Sequence, residues 1–161
     1  MANLDLKEIA SAMEDHARDL YDWYLNLQTG EVLPLPEEAL QSAEEGKELE
    51  ALPEWERKLY KKAEEILSSP PDGPWVRIPT LPSWEVYDEM VAFAESVEDE
   101  QLRALLEVAL QGKGAFRRFK DVLARYPEER KRWFAKKDAF LLTQVASWLE
   151  SLGVKHEEWG T

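Results

Sequence analysis

Apolar side chains recur along this chain at two different periods, and each change of period marks a new element. Leu6, Ile9, Met13 and Ala17 fall on one face of a helix. Asp5 is its candidate N-cap, with Glu8 as capping-box partner and Leu4 and Ile9 at the spacing of a hydrophobic staple. From Tyr21 the period drops to two. Tyr21, Trp23, Leu25 and Leu27 point one way and Asp22, Tyr24 and Asn26 the other, which predicts a strand. Gln28-Thr29-Gly30 fits a three-residue hairpin loop, with Gly30 at the positive φ of a G1 bulge. Glu31 to Leu35 returns as the second strand, and Pro34, having no N–H to donate, assigns that strand to a sheet edge.

The helical period resumes beyond the hairpin. Residues 36–52 carry Glu37, Glu38, Glu44, Glu45, Glu48 and Glu50 against Lys47 alone, and read as a solvated, partly helical connection. A helix follows from Pro53, with Trp55, Leu59, Ala63 and Ile66 on one face. The run Ser68 to Pro74 breaks it, and the short β-rich Trp75 to Ile78 is expected to join the hairpin as a third strand. Ser83 then caps a helix with core stripe Val86, Met90, Phe93 and Val97. Asp99 caps the next, which turns Leu102, Leu105, Leu106, Ala109 and Leu110 inward and stops at Gly112. Phe116, Phe119, Leu123 and Tyr126 form the buried stripe of a helix from Ala115 to about Arg125. After Pro127 a last helix is expected to bury Phe134, Leu141, Val145, Trp148 and Leu152.

This order predicts an α+β fold in which a small antiparallel sheet, the hairpin plus one strand, packs with a layer of five or six helices. With 161 residues, no internal repeat and no compositional break, the chain is expected to form a single domain, 1–161, with the acidic connection at 36–52.

Composition narrows the chemistry. There is no cysteine, so thiolate catalysis, disulfides and cysteine-based zinc sites are excluded. His16 and His156 are the only histidines, so no histidine cluster can hold a metal, and His16 reads as a helix-end residue rather than a base. No metal or cofactor is expected. No apolar run reaches the roughly 18 residues of a membrane span, and the N-terminus lacks a signal-peptide layout, so the expected location is the cytoplasm.

Charge is where the sequence is unusual. The net charge is −13, yet residues 112–137 hold 10 basic and 3 acidic side chains, whereas residues 1–111 hold 9 basic and 26 acidic ones. Within the basic stretch, Gly112-Lys113-Gly114-Ala115-Phe116-Arg117-Arg118-Phe119-Lys120 joins a tight turn to the start of a helix. The amides that open such a helix, beside Lys113, Gly114, Arg117, Arg118 and Lys120, make a candidate anion site, although the run lacks the P-loop pattern. The competing reading is a helical corner in which the glycines serve the turn, the phenylalanines fill the core and the chain's own carboxylates neutralise the cations.

The run GKGAFRRFKDVL, with Asp99-Glu100-Gln101-Leu102-Arg103 before it and the hairpin YLNLQTGEV further upstream, resembles the bacterial uncharacterised protein family 0158. The resemblance also takes in Arg77-Ile78-Pro79, Tyr87, Met90, Phe93, Trp133, Phe134 and Trp148, but not residues 36–73. It implies no activity, substrate, cofactor or catalytic residue.

Several function classes remain in view. A non-catalytic binding or regulatory protein would use the basic helix pair 112–137, extended by Arg125, Arg130, Lys131, Arg132, Lys136 and Lys137, to contact a phosphorylated or acidic partner, either a protein or a nucleic acid. An assembly protein would use tryptophans such as Trp23, Trp75, Trp84 or Trp159 as anchors, with a homodimer through the hairpin edge as one form. A helix-turn-helix would pair residues 99–111 with 115–125, but the net charge opposes approach to DNA. An enzyme would have to rely on carboxylates such as Glu85, Asp88 and Glu89 with no histidine beside them.

Overall fold

The computed structural model describes residues 4–16, 18, 20–46 and 53–154, which form seven helices and a three-stranded antiparallel sheet, an α+β arrangement. Two compact units emerge, Met1–Thr80 with Val145–Thr161, and Leu81–Gln144. Their boundary at Thr80 and Leu81 lies in the stretch between Pro79 and Pro82.

The first unit begins with α1 (Leu6–Glu14), whose Asp5 cap accepts hydrogen bonds from the Lys7 and Glu8 amides as its spacing predicts. Leu4, Ile9, Ala12 and Met13 are buried, while His16 is exposed beyond the helix end. Ala17 lies outside the described residues. β1 (Tyr21–Asn26) is the central strand, paired on one side with β2 (Val32–Pro36) in the register Leu25 opposite Val32 and Trp23 opposite Pro34. Gly30 adopts φ 80° in the connecting loop, and its amide donates to the Asn26 carbonyl at 2.8 Å. Asn26 is buried, and its side-chain oxygen accepts from the Gln28 and Thr29 amides, so its burial leaves that acceptor satisfied. Pro34 indeed sits on an edge strand.

Part of the acidic connection forms a helix, α2 (Glu37–Glu45), closed by Gly46 at φ 69°; Lys47, Glu48 and Glu50 fall outside the described residues. α3 (Glu54–Leu67) packs against α2 and buries Tyr60 and Ala63. Trp55, expected on its inner face, is 64% exposed, because the buried face is turned by one residue toward Tyr60. β3 (Trp75–Arg77) completes the sheet along the other side of β1, with Tyr24 opposite Arg77. Leu25, Leu35, Trp75 and Ile78 lie in the core of this unit, as do Val145 and Leu149 from a later helix.

The second unit is helical. α4 (Ser83–Ser96) starts after Pro82, so Ser83 is the first helical residue and not the cap. α5 (Glu100–Ala109) has the Asp99 cap that its sequence predicts, with bonds from the Gln101 and Leu102 amides. α6 (Ala115–Leu123) and α7 (Pro127–Ser151) follow; α7 runs on into the first unit from Val145. Phe93, Phe119 and Trp133 meet edge-to-face at centroid distances of 5.1–6.1 Å, surrounded by Met90, Val97, Leu102, Leu106, Leu110 and Leu123. Three aromatic rings of this kind dominate such a core by area alone.

Several apolar residues assigned inward are not buried. Leu105, Phe116, Phe134 and Leu152 are exposed and Trp148 is half-buried, while their neighbours Leu106, Trp133 and Leu149 are buried. Each helix offers two adjacent apolar positions, and a wide stripe can turn by one position without losing its period.

Candidate functional site

Two positive-φ glycines set the corner between α5 and α6, Gly112 at 74° and Gly114 at 81°. Gly114 is also the N-cap of α6, so no side chain caps that helix, and no acidic residue stands in its first turn. The carbonyls at the end of α5 have no helical donors left and need others. Arg118, one turn into α6, supplies them. Its Nε donates to the Ala109 carbonyl at 3.0 Å, its Nη1 to the Lys113 carbonyl and its Nη2 to the Gln111 carbonyl. The Tyr87 hydroxyl from α4 donates to the Leu110 carbonyl at 2.7 Å. A Cβ on Gly114 would lie 2.9 Å from Arg118 Nη1, so the glycine admits the guanidinium as well as the turn.

The candidate anion residues therefore divide. Arg118 turns inward as a clip on backbone carbonyls, because a fixed fork of donors matches several of them at once and the α5 C-terminus favours a cation. Lys113, Arg117 and Lys120 point outward and are exposed. The Arg117 side chain is 89% exposed and its nearest carboxylate oxygen, on Asp121, is 3.9 Å away. Among the described residues no carboxylate comes within ion-pair distance of Lys113, Lys120 or Arg125.

Further along, the cations are more engaged. Arg130 lies over the Phe134 ring at 5.0 Å, and Lys131 approaches Glu128 at 3.8 Å. Arg132 bonds Glu129 at 2.8 Å and Ser96 at 3.0 Å while covering the Phe93 ring at 4.4 Å. Lys136 approaches Glu89 at 3.8 Å, which gives a partner to one of the three candidate carboxylates of α4, and Lys137 is engaged too. Of the tryptophans weighed as anchors, Trp84 is 63% exposed, Trp23 is half-buried and Trp75 is buried; Trp159, like His156, is outside the described residues.

The family model of Uncharacterised protein family (UPF0158) matches residues 4–157. The chain belongs to that family. No curated protein and no solved structure matches it. In this UPF0158 chain the run GKGAFRRF builds the α5–α6 corner: glycines for the turn, Arg118 for the carbonyls and Phe119 for the core.

A second polar cluster has no counterpart in the sequence reading. Arg18, with its side chain 10% exposed, donates to the carbonyls of Ala12 at 2.7 Å, Asp15 at 3.0 Å and Ile78 at 2.9 Å, and pairs with Asp22 at 3.2 Å. Asp15 Oδ2 accepts from the Tyr21 hydroxyl at 2.5 Å and from Trp23 Nε1 at 3.0 Å. That bond to Asp15 holds the Tyr21 phenol above its ordinary pKa, with burial adding to the effect. Arg77, bonded to Asp22 at 3.0 Å, is raised by that contact as well. The bond from Arg18 to the Ile78 carbonyl spans 60 positions, and no local pattern announces it.

No described helix is long and apolar enough to cross a membrane, and the described residues contain no group of three His, Asp or Glu side chains able to hold a metal.

Proposed function

We propose that this UPF0158 chain works by binding, presenting the outward cations of the α5–α6 corner and of early α7 to a phosphorylated or acidic partner. The observation that carries this reading is the state of Lys113, Arg117 and Lys120. Their heads stand exposed beside an uncapped helix N-terminus, and Arg117 makes only the loose 3.9 Å contact with Asp121. Arg117 and Lys120 are three residues apart, so they neighbour each other on one helix face. Arg118 is removed from the contact set and becomes the residue that positions the others. The long-range field of a chain at −13 opposes general attraction to anions, so the surface needs close, short-range engagement.

The test uses a fluorescein-labelled polyphosphate and a labelled polyglutamate peptide, followed by anisotropy at about 0.05 M and about 0.5 M salt, where screening removes exposed charge contacts. Wild type should bind at least one of them at low salt and lose it at high salt. Arg117→Glu/Lys120→Glu should abolish binding while the thermal melt stays in place. Equal binding by wild type and variant overturns the proposal.

A further inference from the structure

A cleft of about 380 Å³ lies between α2 and α3 in the first unit. Ala39, Leu59, Tyr60 and the 64%-exposed Trp55 are among the residues that line it. Glu38 and Glu56 line it beside Glu45, which is already engaged, and among the described residues no lysine or arginine lines it. Large exposed tryptophans mark partner surfaces when an apolar pocket adjoins them. The complementary feature occurs in the same sequence. On the second unit, Phe116 is 38% exposed and is followed by Arg117 and, one turn on, by Lys120. Aromatic and cationic groups at that spacing match a cleft lined by an exposed indole and carboxylates, since an arginine gains from both ion pairing and stacking.

We infer that the acidic partner of the α6 face is a second copy of this chain, whose α2–α3 cleft receives Phe116, Arg117 and Lys120. This rests on the proposed function and names its partner. The contact joins two different surfaces, so it is heterologous: each bound copy still offers one free cleft and one free basic face, and association continues to higher species unless the rotation closes a ring.

Sedimentation velocity of the full chain tests this. Wild type should show concentration-dependent growth beyond monomer at about 0.05 M salt, weakened on the order of tenfold at about 0.5 M. Arg117→Glu/Lys120→Glu should be monomeric, and so should Glu38→Lys/Glu56→Lys, each with an unchanged melting transition. Mixed together, the two variants retain one intact cleft and one intact basic face between them, and the reversed face and reversed cleft are again opposite in charge, so mixing should restore association beyond monomer. A monomeric wild type at low salt, or a mixture that stays monomeric, overturns the inference. If wild type is monomeric yet binds polyphosphate or polyglutamate through Arg117 and Lys120, the self-partner fails and the binding function stands. If it binds neither, both fail.

Discussion

Arg118 and Arg117 are adjacent in sequence and opposite in use. One holds three backbone carbonyls around the α5–α6 corner, and the other projects into solvent. Residue types alone could not separate them, because the acceptors of Arg118 are main-chain atoms of Ala109, Gln111 and Lys113, and every residue has a carbonyl. The two glycines were legible, since a turn of this tightness requires positive φ. Removing the clip should destabilise the fold: Arg118→Ala is expected to cost about 2 kcal/mol, in line with charged hydrogen bonds. Arg118→Lys should recover only part of that, because one ammonium cannot span the carbonyls. Gly114→Ala should cost about 1–2 kcal/mol from its left-handed backbone, besides crowding the guanidinium. Arg117→Ala should leave stability within about 0.5 kcal/mol. Urea midpoints of the four variants check all of these.

At the scale of the element, the sequence located helices and strands well and their faces less well. Asp5 and Asp99 cap the helices their positions predicted, and the hairpin, its Gly30 and the third strand are all in place. Hydrogen bonding between neighbouring residues sets the caps and the hairpin turn, so local pattern suffices for them, whereas the third strand pairs Tyr24 with the distant Arg77. The burial of Phe119 rather than Phe116, or of Trp133 rather than Phe134, depends on where a neighbouring helix lies, which no single window records. The difference is measurable. Phe119→Ala should cost about 3–5 kcal/mol, since it removes a ring from the Phe93, Phe119 and Trp133 cluster. Phe116→Ala should cost less than about 1 kcal/mol. Chemical denaturation of the pair reads out the face of α6 directly.

For the whole molecule, the described residues gather into two compact units. The only punctuation at their boundary is Pro79 and Pro82, and α7 passes from one unit to the other through residues with no glycine or proline to mark the change. The first unit has a pH signature. The Asp15 bond raises Tyr21, burial raises Tyr24 and Tyr60, and the bond to Glu31 raises Lys62. A raised folded-state pKa means that the folded chain keeps protons which the unfolded chain releases. The contribution is whole below the unfolded values of 10.0 and 10.5 and is lost as pH climbs through the folded ones. The urea midpoint should therefore fall as pH climbs above about 10, and Tyr21→Phe should make that fall shallower. The carbonyl clip at the corner has a practical consequence of its own. Because it fastens the bend from within, the outward positions 113, 117 and 120 form an interchangeable cassette, and rewriting them should change the surface chemistry of the corner without disturbing its scaffold.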